Sequence, residues 1–322
     1  MGKQATGRDS KIVLYDEDTF GEPPSSPDGI ILPFVSTTLR AQQELNQSET
    51  IRGTRGEVEP QLGNKNPNGN IVTEIAPEGL GKMLKHLFGE VDSSGTNEHV
   101  FTASDEPREG LMVERDYGSA ISGNGRVERF LGCRIGSAEI QVQNSGFPRI
   151  TWQILGANAT LQEELLDGDP TQLAWNAFTS IHAKLKKNDS KAADIREFNA
   201  TLDNDADDDQ YTVGGEGKRV DLPFGFFRAS GRIVARFTSA EYIKIARDGD
   251  SFKLELDFQR GSGDGTAGNE RLRIELPSVR LTPTSPEVNG PRGVQVNMDW
   301  MSYQEAGGEL PKATLYNEVE SV

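Results

Sequence analysis

The side chains best suited to chemistry in this 322-residue chain are few and scattered: three histidines, His86, His99 and His182, and one cysteine, Cys133. A metal centre or an acid–base site needs such groups at short, defined spacings. Each histidine instead stands alone, which points to structural roles. No Gly-x-Ser-x-Gly elbow, His-Glu-x-x-His or Cys-x-x-Cys occurs. Cys133, between Gly132 and Arg134, reads as a packed sheet residue rather than a nucleophile. The run Gly214-Gly215-Glu216-Gly217-Lys218-Arg219 has the look of a phosphate loop, but Thr212 stands where its first glycine belongs and Arg219 where Ser or Thr must bind magnesium. It reads as a glycine turn. Asp203 to Asp209 places acids at alternate positions, as a calcium loop does. Yet Asp208 occupies the sixth position in place of Gly, and Gly214 the twelfth in place of Glu. A solvated acidic loop is expected there, with adventitious calcium binding left open. Carboxylates abound, but no pair sits in an apolar setting that would raise a pKa for catalysis. No catalytic residue, metal or cofactor is expected, and the chain is not expected to be an enzyme.

Composition narrows the class further. The net charge is −16 and the sequence pI about 4.7. Such a protein gains no affinity for nucleic acid by neutralising phosphates, although an acidic surface can let a polyanion pass without sticking. Hydrophobic residues make up 34%, and there are 35 glycines, which suits thin sheet-built cores with many turns. One cysteine allows no internal disulfide. No run of about 18 apolar residues is present to span a membrane, and the polar start from Met1 to Lys11 shows no signal peptide. A soluble protein made in a cytoplasm is expected.

The elements that position these residues are mostly strands. Period-two alternation is clear at Ala138 to Val142, Ile150 to Ile154, Phe252 to Phe258, Leu272 to Leu276 and Val294 to Trp300. Ile181 to Leu185 and Phe198 to Leu202 add two more. A helix is expected from Pro77 to Gly89, with Leu80, Met83, Leu84, Leu87 and Phe88 on one face. A second is expected from a capping box at Thr238-Ser239-Ala240-Glu241 to Arg247, and a short third near Asp169 to Trp175. Residues 1–30, rich in Pro and acids, read as a flexible arm.

The two clear helices share a context. Gly69-Asn70-Ile71-Val72 precedes the first and Gly231-Arg232-Ile233-Val234 the second, and each is followed by strands that end in one bearing a tryptophan, Trp152 or Trp300. This reads as a duplication: a 1–30 arm, one unit over 31–165, and a second over 166–322 with a C-terminal extension. The fold class is mainly β (α+β), with tandem β-sandwich or barrel units, each carrying a flanking helix.

The run from Ile51-Arg52-Gly53 through Pro67-Asn68-Gly69-Asn70-Ile71 and the helix to Gly89 resembles the N-terminal half of tail tube proteins from long, non-contractile phage tails. Arg129 to Ile135 with Ala138 to Val142 is similar to the next block, and Gly225 to Phe237 with Pro277-Ser278-Val279 and Gly290-Pro291 to the second half of longer members. The resemblance implies self-assembly into stacked rings around a channel through which double-stranded DNA passes without specific binding. It also implies tail tip and terminator proteins as partners, a place in the virion tail, and assembly in the host cytoplasm. Two units per chain then imply homotrimeric, pseudo-hexameric rings. Channel-wall candidates are Glu139, Gln141, Gln143, Glu255 and Asp257, and an acidic to neutral wall is expected. The long segment from Gly53 to Asn68 supplies inter-ring candidates: Arg55, Glu57, Glu59, Asn64, Lys65 and Asn66. The alternative is a non-catalytic β-sandwich binding module, for carbohydrate or a cell surface, which would need an exposed aromatic platform.

Overall fold

The computed structural model describes residues 4–104, 109–192, 194–288 and 290–319. The first part runs β1 (Lys11–Asp16), β2 (Ile30–Ile31), β3 (Ser36–Thr37), β4 (Gln43–Asn46), β5 (Gln61–Lys65), β6 (Asn68–Glu74), α1 (Gly81–Phe88), β7 (Gly89–Gly95), β8 (Glu98–Ala103), β9 (Leu111–Asp116), β10 (Val127–Val142), β11 (Arg149–Leu155) and β12 (Asn158–Gln162). The second runs β13 (Thr171–Gln172), β14 (Ala183–Lys187), β15 (Ser190–Lys191), β16 (Ile195–Asp203), β17 (Arg228–Arg236), α2 (Glu241–Asp248), β18 (Phe252–Gln259), β19 (Arg271–Leu281), β20 (Gln295–Ser302) and β21 (Lys312–Tyr316). The fold is mainly β, as the alternation implied.

Both parts repeat one pairing scheme. β1–β9, β3–β6, β6–β11, β9–β10, β10–β11 and β10–β12 in the first part answer to β14–β18, β16–β17, β17–β20, β18–β19, β19–β20 and β19–β21 in the second, all antiparallel. The Gly-x-Ile-Val strand lies against the tryptophan strand in each: Ile71 opposite Trp152, Gly231 opposite Trp300. The two glycines answer to crowding. A Cβ on Gly69 would collide with the backbone of Leu39, and one on Gly231 with the carbonyl of Asn199. The long strand β10 serves two sheets because its register shifts between Phe130 and Cys133, where Gly132 has φ +60°, and again between Ile135 and Ser137. A bulge of this kind bends a strand.

Two pairings join the parts. β10 pairs with β16, and β21 pairs with β8, so the C-terminal strand closes onto a hairpin of the first part. One buried cluster runs through both, with Trp152 and Trp300 among its largest members. Trp152 Nε1 donates to Thr73 Oγ1 at 3.0 Å, and Trp300 stacks on Phe198 at 5.7 Å.

Several expectations change. Residues 11–16 are not a loose arm: Ile12, Leu14 and Tyr15 are buried and β1 is hydrogen-bonded along β9. The helix expected near Asp169 is absent, because Thr171–Gln172 pairs with β2. α1 begins at Gly81, later than Pro77. The capping box before α2 does not form. Thr238 Oγ1 donates instead to Asp194 Oδ2 at 2.7 Å, and only Ser239 Oγ accepts from the Glu241 N–H, at 3.4 Å. Ser180–His182 is a 3-10 turn ahead of β14.

Candidate functional site

Because side chains alternate along a strand, the shared sheet presents one continuous polar face. It crosses β6, β11, β10, β16, β17 and β20. Glu139 lies between Thr151 and Thr201, and Gln141 between Arg149 and Asn199. Arg232 lies between Asn199 and Asp299. An open polar groove of about 480 Å³ follows this face across the join, lined by Gln141, Glu197, Asn199, Arg232, Gln295 and Asn297. Gln143 lies beside it, exposed, at the end of β10.

The face is mixed in charge rather than acidic. Arg149, Arg228, Arg232 and Arg236 are exposed on it together with the carboxylates. Three of these arginines are held by acids. Arg232 Nε meets Asp299 Oδ1 at 2.7 Å, Arg228 Nη2 meets Asp205 Oδ2 at 3.0 Å, and Arg236 Nη1 meets Asp194 Oδ1 at 3.7 Å.

Glu255 and Asp257 do not belong to this face. They are 3% and 1% exposed on β18, inside an ion ladder. Lys186 Nζ reaches Glu255 at 2.7 Å and Asp257 at 2.8 Å, while Arg271 grips Asp257 through two bonds of 2.6 and 2.9 Å. Burial favours the neutral acid, but the bonds from Arg271 and Lys186 outweigh it and hold Asp257 below the usual carboxylate range. Alternation in sequence marks the wetted side of a strand. It cannot show that neighbouring strands carry opposite charges that cover it.

The segment expected as one long loop is the far half of a hairpin. β4 pairs with β5, with Leu45 opposite Leu62, and residues 41–57 are all exposed. Arg55, Glu57 and Glu59 lie on the exposed tip, which is closed by Arg52 Nη2 to Glu57 O and Gln47 Nε2 to Val58 O. Asn64, Lys65 and Asn66 lie at its base and are engaged within the chain. The Lys65 N–H donates to Gly217 O, Lys65 Nζ to Asn158 Oδ1 at 3.1 Å, and Asn66 Oδ1 accepts from Arg219 at 2.6 Å.

The join between the two parts rests on residues that sequence reading missed. Asn204 Nδ2 donates to the carbonyls of Leu87 and Ile135. Arg134 donates to Leu222 O and pairs with Asp221 at 3.0 Å, and Arg219 donates to Gly156 O. All three are buried. Their only sequence signal is a polar residue beside apolar strands.

The chemically capable groups have structural partners. His86 Nε2 lies 2.6 Å from Asp16 Oδ1, with Lys82 and Lys85 on the same carboxylate. Burial works against Asp16 ionisation, but the His86 bond and the two ammonium groups outweigh it and hold its pKa well down. The next residue behaves oppositely. Glu17 is 4% exposed, and burial raises it to about 7 although the Gly132 and Gly21 N–H groups donate to it. His99 bonds Ser93, and His182 closes a capping box with Thr179. Cys133 is fully buried, and burial raises its thiol pKa well above the ordinary value. The acids of 203–209 are spread out: Asp205 takes Arg228, Asp208 takes Arg219, and Asp207 accepts from the N–H of Asp209. Among the described residues no group of three or more His, Cys, Asp or Glu is arranged to hold a metal, and no helix is long and apolar enough to cross a membrane.

A repeated β scaffold with a continuous polar sheet face defines a structural protein. The comparison with known families is specific: a family model for the phage tail tube protein matches residues 7–302, and the chain belongs to that family. No curated protein matches it.

Proposed function

We propose that this chain is the repeating subunit of a phage tail tube, assembling into stacked rings whose channel carries the genome into the host, and that it has no catalytic role. The observation that carries the reading is the polar face, which runs unbroken from β6 to β20 across both parts of the chain. A sheet that curves on closure needs one apolar and one wetted side, and this one has both. The wall is then supplied by residues such as Glu139, Gln141 and Gln143, and not by Glu255 or Asp257. Pairing of Arg232, Arg228 and Arg236 with acids leaves few free cations to grip phosphates, so duplex DNA slides through.

The two tandem units, over about 31–165 and 166–322, give three copies per ring with pseudo-six-fold symmetry. The first unit gains β1 from what read as an arm. The hairpin tip with Arg55, Glu57 and Glu59 reaches the ring below, and tail tip and terminator proteins cap the ends. The subunit is made in the host cytoplasm and ends in the virion tail. A binding module is disfavoured because Trp152 and Trp300 are buried and Trp175 packs on Gly79, so no tryptophan platform is presented. Negative-stain imaging and scattering of concentrated protein, with and without a tail-tip seed, test the reading. Tubes or three-copy rings are expected. Monomer under all conditions overturns it, and rings of six copies overturn the count.

A further inference from the structure

The repeated pairing scheme leaves one pairing without a counterpart. In the first part, Ala138 to Val142 of β10 has β11 on one side and β16 on the other. In the second part the equivalent segment begins at Leu281, which faces Trp300 as Ala138 faces Trp152. It runs on beside β20 through the Thr282 N–H to Asp299 O bond. Among the described residues, no strand of this chain pairs with its outer side. The complementary edge is equally open. β16 has β17 on one side and β10 on the other, whereas β3, its equivalent, pairs with β6 alone. The segment around β3 runs along β6 from Val35 to Arg40, through the Val35, Thr38 and Arg40 N–H groups.

We propose that residues 281–285 of one copy pair antiparallel with residues 37–41 of the next, so that the join inside the chain is reproduced between chains. This rests on the tube-subunit reading and supplies its missing contact. The partner is a second copy of this chain, because the chain itself contains both halves of the joint. The register follows from the internal one. Phe198 faces Ile233 and Val142, and Leu202 faces Ala138. Thr37 faces Ile71 as Phe198 faces Ile233, so Thr37 falls opposite Ser285 and Ala41 opposite Leu281 of the neighbour. Thr38 and Thr284 then meet on the channel side, as Asn199 and Gln141 do within the chain.

Pro283 and Pro286 flank this edge. Each lacks an N–H, so the joint forms fewer ladder bonds than β10–β16, and the isolated subunit is guarded from pairing with unmatched strands. The same displacement carries the exposed Leu45–Leu62 pair over the second part of the neighbour, as residues 204–227 lie over the first part within the chain. Two-stranded hairpins are marginal alone, and this contact would cover the stem.

Cysteine pairing tests the register, since directly opposed cross-strand residues come within reach of a disulfide. Chains bearing Thr37→Cys and chains bearing Ser285→Cys are mixed, assembled and oxidised. The native Cys133 is buried and does not compete. Covalent dimers that form only in the mixture, and a covalent three-chain ring when both cysteines share a chain, are expected. If tubes form but neither this pair nor Thr38→Cys with Thr284→Cys cross-links, the joint is wrong while the tube reading stands. If the unsubstituted protein forms no rings, the tube reading fails and the joint with it. A chain with both cysteines that bridges internally as a monomer also overturns the joint.

Discussion

Ala138 and Leu281 occupy the same place in two copies of one strand arrangement, yet Ala138 has a strand on both sides and Leu281 on one. Each stands opposite a buried tryptophan, Trp152 or Trp300. A duplicated unit that is satisfied at one end and open at the other is a subunit built to continue.

The two tryptophans should respond differently to substitution. Trp152 donates its indole N–H to Thr73, whereas Trp300 Nε1 is buried without a partner in the chain. Trp152→Phe loses a hydrogen bond and leaves Thr73, itself fully buried, unpaired, a cost of about 1–3 kcal/mol beyond lost packing. Trp300→Phe removes an unsatisfied donor and should destabilise less. Urea midpoints for the two variants measure the difference; an equal or larger loss for Trp300→Phe would contradict it.

Asp16 and Glu17 should impose opposite pH dependences on stability. Asp16 is depressed in the folded state, so its contribution is present above its unfolded pKa near 4 and is lost as pH falls below it. Asp16→Asn leaves buried Lys82 without its carboxylate. Because Asp16 itself is partly exposed, the expected loss at neutral pH is moderate, about 1–3 kcal/mol, and smaller at pH 3. Glu17 is raised from 4.5 to about 7, so its contribution is full below 4.5 and is lost as pH rises through 7. That gap corresponds to at most about 3 kcal/mol. Glu17→Gln should flatten the decline between those limits, as thermal melts across the range would show. A wild-type profile that is level from pH 4.5 to 7 would count against the assignment.

Freeing the arginines of the polar face should make it sticky. Asp299→Asn combined with Asp205→Asn releases Arg232 and Arg228. Assembled tubes of this variant should retain duplex DNA at low salt, with a log–log salt slope of about −0.9 for each phosphate neutralised. Unchanged passage and no retention would mean that this face does not line the channel.

Replacing hairpin residues 47–60 by a short Gly-Ser turn should spare the fold, because the tip is exposed and its hydrogen bonds close on the tip itself. Folded subunits that form rings but stack poorly, seen by imaging, are expected. Tubes of normal length would remove the tip from the inter-ring contact.

Much of this protein was legible in the sequence because alternation and local breakers are local physics. Strands at 138–142, 150–154, 252–258 and 272–276, two helices that end at Gly89 and Gly249, and the Gly-x-Ile-Val repeat all follow from which side chains must be buried every second or fourth residue. The absence of catalytic spacing was equally readable. What only the tertiary structure decided was which polar residues face water. Glu139 and Glu255 look alike in sequence, both flanked by apolar neighbours on alternating strands, but Glu139 stays on the open face while Lys186 and Arg271 from neighbouring strands cover Glu255. Asp16 and Glu17 are adjacent, yet one meets a helix carrying two lysines and the other a dry pocket of backbone N–H groups. The bend of β10 at Gly132, the crossing of β21 to β8 and the open edge after Leu281 depend on pairings between residues far apart in the chain, and a periodicity read along one strand carries no information about which strand will lie beside it.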